Sequence, residues 1–333
     1  MKISVAMATY NGEMYLQEQL QSIAEQVRLP DELVICDDGS TDRTGGIIRD
    51  FAASAPFAVE VHENRTSLGP IENFQRAIEL GRGGVLVLCD QDDSWRPEKL
   101  LRIENCFLSS PNTGLLFSDA ELIDQDGQSL NRRLWQYTFK ANDQKRFRAG
   151  KAFEILLQRH VVTGATMAFR QRFRKMILPL PTDIPLIHDG WIALIIAACS
   201  DVAILPEALI SYRLHPGQHL GIEPFQQRVR EPDSRGSTSL ARRSHYYSGE
   251  IRKLRTVQKR LALLGHLIKE PALLERLQSR TVYLEKLLTH FIARGGLPEG
   301  RLSRSEIVIK ELVTWRYHRY SRGFLSVLRD LSI

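Results

Sequence analysis

The chain has 333 residues, 43% of them hydrophobic and 25% charged, with a formal net charge of +6. That composition is globular and long enough for one large domain or a domain with an appendage. No uninterrupted apolar run of about 18 residues occurs, so no transmembrane helix is expected, and the apolar run after Lys2 is too short for a secretory signal.

The charge is unevenly spread. Residues 1–223 hold 23 Lys and Arg against 29 Asp and Glu, a net of −6, whereas residues 224–333 hold 22 against 10, a net of +12. The expected division is an acidic body, 1–223, and a basic helical C-terminal region, 224–333. Basic regions attract phosphate groups, whether on a charged carrier, an anionic lipid or a nucleic acid. The four cysteines (Cys36, Cys89, Cys106 and Cys199) lie in apolar strand or helix patterns without metal-ligand spacing. They are expected to be reduced core residues of a cytosolic protein.

In chain order, residues 2–8 read as a first strand that ends in the polar, turn-prone Thr9-Tyr10-Asn11-Gly12. A helix follows, with Glu13 in its first turn and Tyr15, Leu16, Leu20 and Ile23 at helical spacing. Leu33–Cys36 is a second strand ending in Asp37-Asp38, and Asp42 is placed to cap the helix holding Ile47, Ile48 and Phe51. Ala58–His62 is a third strand followed by Asn64, and Gly69-Pro70 opens a helix through Phe74, Ala77 and Leu80. Val85–Leu88 is a fourth strand, buried on both faces. Asp90, Asp92 and Asp93 follow at once, three carboxylates in four positions. Crowded carboxylates repel, so a cation should compensate them, and Mg²⁺ or Mn²⁺ suits oxygen ligands best. An EF-hand is excluded, because its glycine and glutamate positions hold Trp95 and Leu101.

This β-α alternation predicts an α/β fold with a mixed, mainly parallel sheet flanked by helices. Ligands bind beyond the carboxyl ends of such strands. The clusters Thr9–Asn11, Asp37-Asp38, Asn64 and Asp90–Asp93 all fall at those ends. The glycine fingerprint of dinucleotide-binding folds is absent after the first strand, which argues against NAD or FAD.

Beyond residue 113 the rhythm changes. Gly114–Asp119 reads as a strand, and 124–150 as a polar, irregular connection carrying Trp135, Tyr137 and Phe139, the pattern of a substrate loop. Phe153–Leu157 is helical and Val161–Phe169 strand-like. A nearly all-apolar helix over Trp191–Cys199 is too short for a membrane and reads as core. Val202–Leu205 and Leu209–Arg213 are short strands, and 224–240 has a linker composition. Residues 241–292 and 303–330 read as amphipathic basic helices. Leu254, Val257, Leu261 and Leu264 share one face, and Leu284, Leu287, Leu288 and Phe291 another. Such stripes pack on protein or dock on an anionic membrane, and packing is the more usual use.

Val5-Ala-Met-Ala-Thr-Tyr-Asn11 with Glu13, Cys36-Asp-Asp-Gly-Ser-Thr-Asp42, and Cys89-Asp-Gln-Asp-Asp-Ser-Trp95 with Pro97 resemble the family 2 glycosyltransferases of the GT-A fold. With His188-Asp-Gly-Trp191 and Tyr212-Arg-Leu-His215, the pattern looks most like the rhamnosyltransferase-like branch, which acts on bacterial surface polysaccharides. The resemblance covers roughly residues 2–221 of the chain.

It implies a nucleotide-diphosphate sugar donor, UDP- or dTDP-linked, and a divalent cation, Mn²⁺ or Mg²⁺, on the diphosphate. Asp92 and His215 would hold the metal, and Asp90 the ribose or a metal-bound water. Tyr10 would stack near the base, with Ala8, Thr9 and Glu13 lining the same pocket. Asp38 would accept a hydrogen bond from the base. Asn64, Gly69 and Asn73 would approach the sugar-diphosphate side. Asp189 matches the position of the general base for inverting transfer, although by itself it is an ordinary helix-start carboxylate. His188 replaces the glutamate usual in the wider family and agrees with the narrower branch.

The acceptor implied is a glycan or lipid-linked. A homo-oligomer and peripheral association with the inner face of the cell membrane are compatible with the basic tail, and nucleic acid is not expected. The rival readings are a haloacid dehalogenase-like phosphatase, from Asp90-x-Asp92-x-Ser94, and an inactive sugar-nucleotide-binding subunit. The first would leave Asp38 and Asp189 without a role.

Overall fold

The computed structural model describes residues 1–218, 240–298 and 300–332. The chain divides into two compact units, Met1–Thr182 with Ile187–Phe225, and Asp183–Leu186 with Gln226–Ile333. The expected boundary at 223/224 and, apart from Leu240, the expected linker lie outside the described residues.

The first unit is built on a nine-stranded sheet whose strands lie in the order 58–63, 32–37, 3–9, 85–89, 167–170, 113–123, 201–213 and 94–95, with 129–133 paired to 113–123. β1 (Ile3–Thr9), β2 (Glu32–Asp37), β3 (Ala58–Glu63) and β4 (Val85–Cys89) are parallel, and β1, most of β2 and all of β4 are apolar and buried. Helices α1 (Leu16–Ala24), α2 (Thr44–Ser54) and α3 (Pro70–Leu80) make the connections. α1 begins after Glu13 rather than around it, because Asn11 turns the chain with φ +46° and Tyr15 and Leu16 first close back on the Gly12 carbonyl. Asp42 accepts a hydrogen bond from Thr44 N–H (2.9 Å) and closes the start of α2, as its sequence position suggests.

The sheet continues through β5 (Ser94–Trp95), β6 (Thr113–Ile123), β7 (Ser129–Arg133), β8 (Met167–Arg170) and β9 (Asp201–Arg213). β8 runs antiparallel between β4 and β6, and β9 runs parallel to β6. One long strand thus replaces the two short ones expected over 202–213. α4 (Lys99–Ser109) follows β5.

Residues 124–150 are not an irregular connection. They form β7, α5 (Trp135–Thr138) and α6 (Ala141–Arg148). Trp135, Phe139 and Phe147 are buried with Phe117 in edge-on ring contacts at 4.9–5.7 Å between centroids. Aromatics in a polar stretch read as ligand contacts in sequence, but here they serve as the local core. α7 (Ala152–Gln158) and α8 (Arg174–Ile177) lead to α9 (His188–Cys199), buried along its whole length as expected of a core helix. It starts three residues earlier than the apolar run, so Asp189 sits inside its first turn.

The second unit consists of α10 (Leu240–Leu267), α11 (Pro271–Gly295), α12 (Arg301–Val313), α13 (Arg316–Tyr320) and α14 (Phe324–Ser332). Leu254, Val257, Leu261 and Leu264 of α10 are buried, as are Leu284, Leu287, Leu288 and Phe291 of α11. These stripes serve protein packing. A buried polar network joins the later helices. His290 meets Glu311 (2.7 Å) and Ser321 (2.8 Å), and Arg294 donates to both oxygens of Asp330 (2.8 and 3.1 Å). Among the described residues no helix is long and apolar enough to cross a membrane.

Candidate active site

Parallel register carries the ends of β1, β2 and β4 to one edge, pairing Thr9 with Asp37 and Met7 with Cys89. Thr9 is buried there and its hydroxyl donates to Asp37 Oδ1 (2.7 Å), while Ala8 is half-buried beside it. Asp37 also accepts from Ser40 N–H and hydroxyl. Tyr10 is open, 52% exposed. Its backbone is clamped by Gln91, whose amide accepts from Tyr10 N–H (2.8 Å) and donates to Tyr10 carbonyl (3.0 Å). Gly12 is needed at this clamp, since a Cβ there would lie 2.3 Å from Gln91 Oε1. Glu13 is pinned from outside by Arg43 N–H (3.0 Å) and guanidinium (3.2 Å).

Asp38, Asn64 and Asn73 form a buried network. Asp38 accepts four hydrogen bonds, from Asn64 Nδ2 (2.7 Å), Ser67 hydroxyl (2.7 Å), Leu68 N–H (2.7 Å) and Gly69 N–H (2.8 Å). Burial alone would raise its pKa, but these donors outweigh it and hold the carboxyl below the usual range. Asn64 also donates to Asn73 Oδ1 (3.0 Å), and Asn73 Nδ2 donates to the Cys36 carbonyl (2.8 Å). All three side chains point into a knot that fixes the turn before α3. A carboxylate has about four lone-pair sites, so a base could bind Asp38 only by displacing one of these donors.

The Asp90–Asp93 turn follows β4. Asp92 Oδ2 lies 2.9 Å from His215 Nε2, bringing together two residues 123 positions apart. The His215 ring is steadied by Tyr15, 4.8 Å away between centroids. Asp93 is buried and accepts from Arg213 N–H (3.0 Å) through Oδ1, while its Oδ2 has no hydrogen-bond partner among the described residues. Burial, then the neighbouring Asp92 and Asp189 carboxylates, push Asp90 up to about 8. Asp93 is driven upward by burial and by Asp92 and Asp90.

Two buried basic side chains that the sequence marks with no role lie beside this turn. Lys99 is fully buried, donates to the Ala165 carbonyl (2.7 Å) and lies 3.7 Å over the Trp95 ring. Burial pushes its ammonium down to about 7, against the pull of Cys89, Asp93 and Asp90. Arg213 donates to the Asp92 carbonyl (2.9 Å) and Glu18 (2.6 Å), and lies over Tyr15. The Lys four places after Trp95 and the Arg next to Leu214-His215 were the available signals, but charged residues are read as surface by default.

Asp189 is buried in the first turn of α9. Its Oδ1 lies 2.7 Å from His160 Nε2 and its Oδ2 accepts from Gly164 N–H (2.9 Å). Burial would raise the carboxyl, but His160 outweighs it and the group is held below the usual carboxylate range. His188, by contrast, stacks on Phe74 (4.2 Å) with a buried Nε2 that has no hydrogen-bond partner among the described residues, and burial lowers its basicity. His160 has no motif around it in the sequence.

Among the described residues no cluster of three or more His, Cys, Asp or Glu is arranged around a common metal position. Asp92 and His215 nevertheless present one oxygen and one nitrogen donor side by side, and Asp93 Oδ2 lacks a partner next to them. Cations that act on phosphates are commonly held by one or two protein groups, with phosphate and water completing the shell. The donor set fits that use.

The sequence matches the glycosyl transferase family 2 domain over residues 4–176. An uncharacterised protein of Mycobacterium tuberculosis is 29% identical over 222 residues, 64% of this chain and 59% of that protein. The chain thus spans well under two thirds of that relative's length. A dTDP-rhamnosyl transferase of Shigella flexneri is 36% identical over 106 residues, 31% of this chain and 37% of that protein. The structure is similar to S. aureus TarS 1–349 in complex with UDP-GlcNAc, with a TM-score of 0.55 at 16% identity, covering 98% of this chain and 90% of that one. The fold is therefore of the GT-A type, with helices following it in the chain. On the extent of the sequence match, the chain belongs to glycosyl transferase family 2.

Proposed function

We propose that the protein is an inverting, metal-dependent glycosyltransferase. It would move a hexose, with rhamnose the first to test, from a UDP- or dTDP-linked donor to a glycan or lipid-linked acceptor in bacterial surface polysaccharide synthesis. The Asp92–His215 contact carries this reading, because it supplies the donor pair a diphosphate-bound Mn²⁺ or Mg²⁺ requires. Family membership supports sugar transfer, and the phosphatase and inactive-subunit readings lack comparable support. The Shigella relative's dTDP-rhamnose name and the UDP-GlcNAc bound to TarS support the choice of nucleotides to test.

In this reading Tyr10 offers its open ring to the base, with Ala8, Thr9 and Glu13 shaping the pocket floor. Asp90 faces the ribose. Asp38, Asn64 and Asn73 act by fixing the turn at Ser67–Gly69 rather than by receiving the base directly. Asp92 and His215 would hold the cation, which when bound neutralises the diphosphate and stabilises it as a leaving group. Asp189 takes the proton of the acceptor hydroxyl as that oxygen bonds to the anomeric carbon. The bond from that carbon to the diphosphate breaks on the opposite face, and its electron pair leaves with the diphosphate. Asp189 is suited to the task because it is ionised and held in one orientation by His160 and Gly164. Peripheral association with the inner membrane face through the C-terminal helices belongs to the same proposal, as does a cytoplasmic site of action.

The test is the melting temperature with UDP, dTDP, GDP and ADP, each with and without Mn²⁺. A ligand that binds only the folded state raises it by mass action. A metal-dependent rise with UDP or dTDP is expected, and no rise with any nucleotide would remove the donor-site assignment.

A further inference from the structure

α14 is turned inside out. Its buried side holds Ser326, Val327 and Asp330, while Phe324, Leu325, Leu328 and Leu331 are 41–64% exposed. Their spacing of one, three and three residues puts them on one helix face. The helix is held this way by its polar side. Asp330 accepts from Arg294, lies 2.8 Å from Arg243, and accepts from the Tyr317 hydroxyl (2.6 Å). Trp315 is 70% exposed, and the His318 ring links it (5.1 Å) to Phe324 (4.9 Å), extending the apolar face beyond the helix.

The exposed charges of the segment that carries this face have one sign. Residues 315–332 carry Arg316, Arg319, Arg322 and Arg329, and their one acidic residue is Asp330, which is buried. Arg319 and Arg322 are both exposed. An apolar face flanked by arginines complements a surface that is apolar inside and anionic outside. A second copy fits less well, since a self-complementary contact would set these arginines against their own equivalents.

We propose that this face docks on an anionic lipid bilayer. Trp315, Phe324, Leu325, Leu328 and Leu331 enter the headgroup and acyl boundary, and Arg319 and Arg322 meet lipid phosphates. The inference rests on the peripheral-membrane part of the proposed function and is independent of its transfer chemistry.

The test is flotation of the full chain with phosphatidylcholine vesicles containing about a third phosphatidylglycerol, and with pure phosphatidylcholine vesicles. No turnover is read, so failure here and failure of the glycosyltransferase reading are distinguishable. The anionic vesicles should bind the chain and shift the emission of Trp315 to the blue, the other three tryptophans being buried. Leu325→Ser with Leu328→Ser should weaken binding at least about tenfold. Arg319→Ser with Arg322→Ser should weaken it by about thirtyfold on anionic vesicles and hardly at all on neutral ones. Circular dichroism checks that each variant is folded. The proposal is overturned if the folded wild-type chain ignores anionic vesicles or if Leu325→Ser/Leu328→Ser binds them as well as wild type. It is equally overturned if the leucine variant only abolishes a concentration-dependent dimer.

Discussion

Asp189 Oδ1 and His160 Nε2 lie 2.7 Å apart, a buried pair that holds the proposed base in one orientation. Asp189→Asn removes the proton acceptor but keeps the shape of the side chain. Donor binding should survive while transfer falls by about 10²–10⁴-fold. His160→Ala acts indirectly. The imidazole is the chief influence holding Asp189 below the usual carboxylate range, so its loss lets that value rise. The acidic limb of kcat/KM should then move to higher pH, with donor affinity unchanged. A pH–rate profile that does not move would assign His160 a packing role alone.

Asp92 and His215 are predicted to act as a unit on the metal. For wild type, UDP or dTDP with Mn²⁺ at a hundredfold excess over Kd should stabilise the fold by about 2.7 kcal/mol, read as a rise of a few degrees in Tm. Asp92→Ala should abolish the part of that rise that depends on Mn²⁺. His215→Ala should reduce it and demand more metal. Nucleotide-dependent rises that are the same with and without Mn²⁺ in wild type would contradict the assignment of both residues.

The strands were legible because Leu33–Cys36 and Val85–Leu88 are short apolar runs bounded by turn residues, and that pattern has few other solutions. The polar clusters at their ends followed from topology alone. The contents of the site were harder to read. Lys99 acts electrostatically on Asp90 and Asp93, and Arg213 hydrogen-bonds the turn through its backbone N–H and guanidinium, yet nothing in a local pattern marks a buried basic side chain. Asp38 shows a second side of this. A carboxylate at a strand end invites a ligand role, but four donors from the Asn64–Gly69 segment already fill it. α14 falls in the amphipathic stretch read over 303–330, but its separation and its orientation are not legible there, and the orientation depends on Asp330 pairing with Arg294, 36 residues earlier.

Asp38→Ala should therefore be a stability variant first. It leaves four donors without their acceptor in a buried site, each such loss costing about 1–3 kcal/mol before relaxation. A total of about 3 kcal/mol is expected in urea unfolding once water reaches the more exposed of them. Because the folded carboxyl titrates below its unfolded value, its stabilisation is complete above the unfolded value of about 3.9. It is lost as pH falls through the folded value. The variant should lack that acid-dependent loss. A variant as stable as wild type would return Asp38 to the nucleotide pocket as a ligand residue.

The second unit depends in the same way on Asp330. Its carboxylate is buried between Arg294, Arg243 and the Tyr317 hydroxyl. Burial works against its charge, but Arg294 and then Arg243 prevail and hold it below the usual carboxylate range. Asp330→Asn keeps the shape but leaves two guanidinium groups facing a neutral amide. Removing one partner of a buried ion pair costs about 3–5 kcal/mol, more than the pair itself is worth, because the remaining charge stays desolvated. Hydrogen exchange of residues 240–332 should therefore accelerate strongly in this variant. The wild-type contribution is fully present above a pH of about 3.9 and disappears as pH drops through the folded value, so acid should release α14 in wild type and change little further in Asp330→Asn. Since Asp330 is also what turns Leu325 and Leu328 outward, loss of the carboxylate should weaken vesicle binding together with the protection of α14. Vesicle binding that persists at full strength after α14 has lost its protection would mean that the helix binds lipid without needing to be held.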